Sequence, residues 1–312
     1  MTNLSEFTFL SSDGKTQLHG MLWEPEGVAV RAVLQICHGV AEHIARYDGF
    51  ARALNEQGIV VAGHDHLGHG KSLPEGGTPV YFGQGSTWNT VVDDIYILHQ
   101  RLKQRYPDVP LCIMGHSMGS FLTRTYLIRY PGTVKAAVIM GTGWQPQAAI
   151  TGGLALANAI AAVSGENATS ELVTELAFGS YNKLFAPNRT KVDWLSADES
   201  NVDDYIADPL CGADATVGLF RQMLRGLRFN QTPGNIDRMD KNAPILLIAG
   251  QDDPVGDMGA GVRRTHDAFK RAGIRDVTLK LYPGLRHEIL NEAAMRDTVY
   301  GDIGAWLDRV LG

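Results

Sequence analysis

The chain has 312 residues, of which 44% are hydrophobic and 20% are charged, and its formal net charge at pH 7 is −6. These proportions exclude a disordered, fibrous or coiled-coil chain, and the length allows one large α/β unit that carries an insertion. The acidic balance provides no basic surface for nucleic acid, so we expect no nucleic-acid partner.

The first half of the sequence alternates predicted strands and helices. Residues 7–10 and 17–23 alternate apolar and polar side chains, as an antiparallel hairpin with one solvated face does. An apolar strand at 32–37 and a helix at 47–54 follow, and Gly58 ends that helix. The same alternation predicts strand 59–62, helix 91–102, strand 111–114, helix 118–129 and strand 134–140.

The alternation stops between residues 144 and 239, where alanine-rich and acidic helical segments contain no strong strand. It resumes with strand 245–249, a helix that reaches Phe269, strand 277–282 and a final amphipathic helix at 295–310. Strands and helices at this spacing predict a mostly parallel, doubly wound α/β sheet with helices on both faces. We expect residues 1–143 and 240–312 to form this core and residues 144–239 to form an inserted helical cap.

The sequence also bears on the cellular compartment. The first twenty residues lack the basic and then apolar pattern of a secretion signal, so we expect a cytoplasmic protein. Cys37, Cys112 and Cys211 are too few and too scattered for a disulfide framework, and we expect them to act as small hydrophobic side chains. Proline, glutamine and glycine interrupt the uncharged stretch 136–165, which argues against a membrane span.

The strongest chemical motif is Gly115-His116-Ser117-Met118-Gly119, which follows an apolar strand directly and opens a helix. This is the context of a nucleophile elbow, in which Ser117 attacks the substrate. The sharp turn needs neighbours without side chains and exposes the serine hydroxyl. The helix N-terminus favours the negative charge that develops during acyl transfer. The alternative is a tight structural turn without a chemical role.

A serine hydroxyl needs a base, and the base needs a carboxylate behind it. Asp252 and Asp253 both follow a predicted buried strand, at the edge of the sheet where such sites assemble. We predict that Asp253 is the catalytic acid and that Asp252 caps the following helix. His287 lies in the loop after the next strand, from which it can reach Ser117, and is the predicted base. His116 is expected to pack rather than react.

The tetrahedral intermediate of acyl transfer needs N–H donors that are already oriented. The backbone N–H of Met118 is one predicted donor, and that of Val40, in a loop that opens with His38-Gly39, is the other. We expect His38 and Gly39 to belong to the pocket. The alternative for this loop is a glycine turn that leads into a helix, with His38 as a buried structural histidine.

Histidines cluster in the segment Gly63-His64-Asp65-His66-Leu67-Gly68-His69-Gly70. Imidazoles and a carboxylate at this density suggest a metal site. However, His69 lies between two glycines in a turn, and no separate cysteine or carboxylate group completes a ligand set. We therefore predict no metal and no organic cofactor, and we interpret the segment as a loop that shapes the pocket floor.

Three blocks of this sequence resemble the monoglyceride lipase and lysophospholipase branch of the α/β-hydrolases. They are His-Gly-Val-Ala-Glu-His at 38–43 with Arg46-Tyr47 after it, His-Asp-His-Leu-Gly-His-Gly-Lys-Ser at 64–72, and Gly-His-Ser-Met-Gly-Ser at 115–120. With the loops of Asp253 and His287, the resemblance covers the core on both sides of the insertion. It implies the α/β-hydrolase fold and a mobile lid over an acyl pocket. It also implies these roles: the triad Ser117, Asp253 and His287, and the oxyanion donors Val40 and Met118.

One position departs from the family pattern. The family usually has glycine where this chain has Ala41, beside the bulky Val40. The departure implies a tighter oxyanion loop or a narrower acyl entrance.

The sequence thus predicts a serine carboxylic-ester hydrolase that forms an acyl-enzyme, with monoacylglycerols or short- to medium-chain esters as substrates. Lysophospholipase, thioesterase or amidase activity on the same triad stays open, as does a slow-turnover, receptor-like binding protein. Trp144 begins the uncharged stretch 144–165 and is expected to line the pocket. That stretch suggests an apolar lid with transient membrane or micelle contact, and the alternative is that it packs inside the cap. We expect a monomer or a homodimer.

Overall fold

One sheet organises the molecule. The structure is a computed structural model that describes residues 1–175 and 179–312. Within these residues eight strands pair in the order β1-β2-β4-β3-β5-β6-β7-β8. The strands are β1 (Thr2–Leu10), β2 (Gln17–Pro25), β3 (Ala32–Cys37), β4 (Ile59–His64), β5 (Leu111–His116), β6 (Ala136–Met140), β7 (Ile245–Gly250) and β8 (Val277–Tyr282). β1 and β2 form the predicted antiparallel hairpin, β2 is antiparallel to β4, and the other neighbouring pairs are parallel.

The helices that the structure describes are α1 (Asp48–Glu56), α2 (Trp88–Arg105), α3 (Met118–Arg129), α4 (Gln147–Ser164), α5 (Glu171–Thr174), α6 (Ser180–Lys183), α7 (Glu199–Ala207), α8 (Val217–Asn230), α9 (Pro233–Ile236), α10 (Ala260–Arg271) and α11 (Arg296–Leu311). The core helices α1, α2, α3, α10 and α11 lie where the hydrophobic periodicity predicts them, and further helices lie in the insertion. Single turns of 3₁₀ helix span Ile44–Tyr47, Gly70–Ser72 and Asp193–Leu195.

The strands have a hydrophobic core on each face of the sheet. In β3, Val33 and Cys37 belong to one buried cluster, whereas Leu34 and Ile36 belong to the other, because successive side chains of a strand point to opposite faces. Helices α2, α3 and α10 contribute to the first cluster, and α1 and α11 contribute to the second. The predicted doubly wound α/β fold is therefore confirmed.

Helix α3, which follows the candidate nucleophile, is buried along almost its whole length. The sheet lies on one side of it and α8 on another, where the Thr125 hydroxyl donates to the Asn230 side chain at 2.8 Å. Gly226 of α8 approaches Trp88 so closely that a Cβ atom there would lie 2.2 Å from the indole ring. The inserted segment thus shares one packed core with the helix that carries the nucleophile.

The insertion between β6 and β7 is helical, as predicted. Its described residues contain helices α4 to α9 and one isolated bridge, Thr169 to Thr216. The name "cap" is used below for residues 144–239, and these boundaries stay a prediction. Residues 176–178 of the cap lie outside the described residues.

Helix α4 differs from its expected form. Pro146 is the N-cap of this helix, and α4 continues through Gly152 and Gly153, so these residues do not interrupt it. Among the helices that the structure describes, α4 is long and apolar enough to cross a membrane by length and composition, and 17% of it is buried. Its buried side chains are Ile150, Leu154 and Ala157. Most of an uncharged helix therefore lies at the surface.

Candidate active site

Ser117 occupies a strained turn between β5 and α3. Its backbone has φ 53° and ψ −122°, a conformation that residues with a side chain rarely adopt. The neighbouring glycines make the turn possible. A Cβ atom on Gly115 would lie 2.2 Å from the Gly119 carbonyl oxygen, and one on Gly119 would lie 2.0 Å from the Cys37 carbonyl oxygen. The spacing of the motif is thus a steric requirement of the turn.

His287 and Asp253 come together at the carboxyl edge of the sheet. The Nδ1 atom of His287 lies 3.0 Å from each carboxylate oxygen of Asp253. Asp253 is fully buried, and one of its oxygens also accepts the Val255 N–H at 2.9 Å. Because Nδ1 is engaged, Nε2 is the ring atom left to accept a proton.

Ser117 and His287 line the same cavity. No hydrogen bond joins the serine hydroxyl to the imidazole among the described residues. Such bonds are often long without substrate and shorten when it binds. The structure therefore brings the three predicted triad residues to one site.

Asp252 does not have the predicted capping role. The next helix, α10, begins at Ala260 and has Gly259 as its N-cap residue, well beyond Asp252. The backbone N–H of Asp252 donates to the Leu285 carbonyl oxygen at 3.0 Å, which ties the two catalytic loops together. The carboxylate that stabilises this turn belongs to Asp253.

The loop after β3 brings Val40 to the cavity wall. The N–H groups of Val40 and Met118 donate to no protein acceptor in the part of the chain that the structure describes. Ala41 has φ 53°, and its carbonyl oxygen accepts two bonds of 3.0 Å from the cap, from the Tyr205 hydroxyl and the Gly212 N–H. The loop is thus held in shape while both candidate donors stay free for a ligand.

Glu42, a buried carboxylate for which the sequence predicts no role, stabilises this loop. Glu42 accepts the Gly39 N–H at 2.5 Å and the Tyr47 hydroxyl at 3.0 Å, and it lies 3.1 Å from Nδ1 of His116. Burial alone would raise the pKa of Glu42, but the hydrogen bond with His116 and the charge of Arg46 hold that pKa well below its usual range. Glu42 is therefore ionised.

His116 packs between these groups, as predicted. Burial opposes its charged form, but the bond to Glu42 raises the pKa of His116 above its usual value. Its Nε2 atom lies 3.3 Å from the His287 carbonyl oxygen, and the two rings are 4.6 Å apart. His116 therefore links the oxyanion loop to the loop of the candidate base.

Arg46 extends the network to the cap. Its guanidinium donates to both oxygens of Glu288, at 2.6 and 2.8 Å, and to Glu42 at 3.2 Å. Asn201 of α7 donates to Glu288 at 2.9 Å. Burial opposes the ionised form, but Arg46 keeps the pKa of Glu288 below its usual value. Glu288 directly follows His287, so the network orients the loop of the candidate base.

Trp144 and His38 do not have the predicted pocket positions. The described residues that line the cavity include neither of them. The Trp144 ring lies 5.8 Å from the guanidinium carbon of Arg124, and Trp194 instead contacts His287, with ring centroids 5.2 Å apart. His38 is fully buried, and its Nε2 atom accepts the His66 N–H at 2.9 Å. His38 thus supports the oxyanion loop from below, whereas Gly39 does line the cavity.

The histidine-rich segment, residues 63–70, lies outside the cavity lining. None of residues 63–70 is among the described cavity residues, so the prediction of a pocket floor is wrong. Burial lowers the pKa of His64 to about 3 and of His69 to about 4, and it also lowers the pKa of His66. These rings are neutral near pH 7 and serve as core.

The cavity has a volume of about 940 Å³, within the range of small-molecule sites. The candidate nucleophile Ser117, the candidate base His287 and the oxyanion loop, residues 39–41, line it. Polar and charged cap residues also line it, among them Thr169, Glu171, Lys183, Asn188, Lys191 and Asp214. Val192, Trp194 and Leu195 add apolar side chains to the lining, so the cavity can hold a molecule that has both an acyl chain and a polar end.

The chain is similar to known α/β-hydrolases over most of its length. A protein-family model described as "Serine aminopeptidase, S33" matches residues 28–294. The monoacylglycerol lipase of Mycolicibacterium smegmatis is 30% identical over 303 residues, which cover 97% of this chain and 96% of that protein. The monoglyceride lipase of Mus musculus is 27% identical over 304 residues, which cover 96% of this chain and 88% of that protein.

A solved structure extends the likeness to three dimensions. A thermostable carboxyl esterase from Bacillus coagulans, solved in complex with glycerol, superposes with a TM-score of 0.92 at 27% identity over 100% of both chains. The chain therefore belongs to the monoglyceride lipase-like family of α/β-hydrolases and is a serine ester hydrolase.

Proposed function

We propose that this enzyme hydrolyses monoacylglycerols or short- to medium-chain esters through an acyl-enzyme on Ser117. The observation that carries the proposal is the His287 ring, which is bonded to Asp253 through Nδ1 and lines one cavity with the strained Ser117. Its free Nε2 can accept the serine proton and later return it to the leaving alcohol. Asp253 holds the ring in this tautomer and stabilises the imidazolium.

The proposed oxyanion hole consists of the N–H groups of Val40 and Met118. Both lack protein acceptors among the described residues, and Met118 is the first residue of α3, where the helix dipole favours negative charge. Donors that are fixed before the reaction stabilise the oxyanion without reorganisation, and each contributes about 3 kcal/mol in serine hydrolases.

The shape and polarity of the cavity support an amphiphilic substrate. The reacting groups line the cavity, and its cap residues offer charged and amide side chains to the hydroxyls of a glycerol group. The printed names of the relatives, monoacylglycerol and monoglyceride lipase, support the same substrate class. No metal or organic cofactor takes part in the proposed reaction.

We also propose that the cap meets micelles or membranes through α4. This helix carries no charged residue, and most of its length is exposed, with Val163 89% exposed at its end. An exposed apolar surface of this kind typically marks an interaction site.

The first experiment compares wild type with Ser117→Ala on p-nitrophenyl esters from acetate to palmitate and on monoacylglycerols. We expect wild type to turn over members of both series and Ser117→Ala to lose that turnover, because no other nucleophile lies at the elbow. A p-nitroanilide series tests the aminopeptidase activity that the family description names.

Two results would overturn the proposal. Equal ester hydrolysis by both proteins would show that Ser117 is not the nucleophile. Faster cleavage of anilides than of esters would assign the triad to amide substrates instead.

A further inference from the structure

His43, Asp208 and Cys211 bring three different metal-ligating side chains to the junction of the cap and the oxyanion loop. One ligand atom from each lies within 4.8 Å of the others. His43 follows Glu42 in the loop after β3, whereas Asp208 and Cys211 follow α7 in the cap. We propose that these residues bind a thiophilic divalent cation such as Zn²⁺, and that the bound ion locks the cap onto the oxyanion loop.

The local backbone prepares the two cap ligands. Asp208 to Cys211 form a tight turn in which the Cys211 N–H donates to the Asp208 carbonyl oxygen at 3.0 Å. The Leu210 N–H donates to Oδ1 of Asp208 at 2.9 Å, which leaves Oδ2 facing His43. Two ligands three positions apart in a tight turn have the short spacing common in zinc sites.

The distances require little movement for binding. Nε2 of His43 lies 2.8 Å from Oδ2 of Asp208, which is a hydrogen-bonded distance. Ligand atoms around a tetrahedral zinc ion lie about 3.3–3.8 Å apart, from Zn–N and Zn–S bonds of about 2.0–2.3 Å. The His43 and Asp208 atoms must therefore move apart by about 0.5 Å, and the Cys211 sulfur must approach each of them by about 1.3 Å at most. The nitrogen, oxygen and sulfur set favours zinc over magnesium or calcium, which prefer oxygen ligands alone.

Cys211 distinguishes this cluster from an ordinary hydrogen-bonded pair of His43 and Asp208. Zinc binds cysteine as the thiolate, so a bound Zn²⁺ would displace the thiol proton of Cys211. The three side chains come from two separate parts of the fold, the loop after β3 and the turn after α7, so one ion would hold both.

The site adjoins the chemistry without being part of it. Gly212, directly after Cys211, lines the cavity and donates to the Ala41 carbonyl oxygen at 3.0 Å. A metal held by His43 and Cys211 would therefore join the oxyanion loop to the cap next to this hydrogen bond. The cap would then open less readily, and substrate entry and product release would slow.

The test uses the full chain after removal of metal with a chelator. Zn²⁺ is titrated in competition with a chromogenic chelator, and Co²⁺ is added separately to detect the charge-transfer absorption of a thiolate ligand. The variants are Cys211→Ala and His43→Gln, and Cys112→Ala, which removes a thiol buried in β5, is the control. Circular dichroism checks that each variant is folded.

We expect wild type and the control to bind one Zn²⁺ per chain and to show the thiolate band with Co²⁺. Each ligand variant should bind Zn²⁺ at least about tenfold more weakly, because loss of an outer-shell partner already costs typically about 10- to 100-fold in metal affinity and a direct ligand contributes more. Zn²⁺ should raise the melting temperature and lower kcat of wild type and control only.

The proposal is overturned if Cys211→Ala or His43→Gln keeps wild-type affinity, or if Co²⁺ shows no thiolate band. An unchanged rate at saturating Zn²⁺ would overturn the locking of the cap. Hydrolysis by the metal-free wild type is measured in parallel, so a failure of the proposed esterase activity is seen separately.

Discussion

Replacing Glu42 with glutamine removes one buried charge and keeps the length of the side chain. The side chain is 5% exposed and pairs with Arg46 and His116. Removing one partner of a buried ion pair costs about 3–5 kcal/mol. Because Arg46 keeps its two bonds to Glu288, we expect a loss near the lower limit, about 3 kcal/mol in the free energy of unfolding.

The same substitution should reduce turnover. Glu42 holds the Gly39 N–H at 2.5 Å, and Gly39 directly precedes the proposed donor Val40. A glutamine whose amide turns toward Gly39 would move this loop, and a displacement of about 1 Å at an active site costs about 100-fold in rate. We expect kcat to fall by about 10- to 100-fold, with a smaller change in KM, because the oxyanion forms only during the reaction.

Urea unfolding and steady-state hydrolysis of a p-nitrophenyl ester measure the two effects. Glu56→Gln is the matched control, because Glu56 is an exposed carboxylate at the end of α1, and surface substitutions usually change the free energy of unfolding by less than about 0.5 kcal/mol. If Glu42→Gln lost stability but kept its kcat, Glu42 would stabilise the fold without positioning the oxyanion loop. If neither quantity changed, the reasoning on the buried network would be refuted.

Three further predictions follow from the site and the fold. Asp253→Asn should lower kcat by about 10⁴-fold, because the imidazole of His287 loses its orientation, whereas Asp252→Asn should change kcat by less than about threefold. If ester assays showed the larger loss of kcat for Asp252→Asn, the two residues would exchange their assigned roles. Gly119→Ala should abolish folding or activity, because its Cβ would lie 2.0 Å from a backbone oxygen. In Gly152→Ala on α4 the new Cβ meets no atom within 4 Å, so the free energy of unfolding measured in urea should rise by about 0.5–1 kcal/mol. Burial and the charge of His38 lower the pKa of His69 to about 4, so the unfolded chain takes up the proton first as the pH falls. The contribution of His69 to stability should therefore be full above about pH 6.5 and fall by up to about 1.4 kcal/mol per pH unit down to about pH 4, in addition to the declines from the other buried histidines, His64, His66 and His99. In urea midpoints across this range, His69→Gln should remove only the share of the decline that His69 contributes, and an unchanged decline would refute the lowered pKa.

Local patterns in the sequence predict the elements that carry the triad. The predicted bounds of α3 and β8 agree with the structure. Helix α3 begins directly after the turn that the Gly-x-Ser-x-Gly motif defines, and β8 alternates apolar and polar side chains along its length. The positions of Ser117, Asp253 and His287 follow from the order of these elements in a doubly wound sheet. Their catalytic roles stay predictions that the substitutions above test.

The polar network around the site could not be predicted in this way. Arg46 and Glu288 are 242 residues apart, and no periodicity relates them. A signal was available for two members, since Glu42 and Arg46 belong to the first block of family resemblance. The error at Trp144 has the same origin: the first tryptophan of the cap packs near Arg124, and Trp194 reaches His287, because the path of the cap depends on contacts between distant residues.

The two hydrogen bonds that the Ala41 carbonyl oxygen accepts have a consequence for protein engineering. Tyr205 and Gly212 hold that oxygen from the cap side, so the cap supplies part of the scaffold of the proposed oxyanion hole. A chimaera that takes its cap from a relative would inherit a different substrate cavity and, unless both donors are retained, a loosened catalytic loop. Chain-length preference and catalytic rate would then change together, and directed evolution of one would have to repair the other.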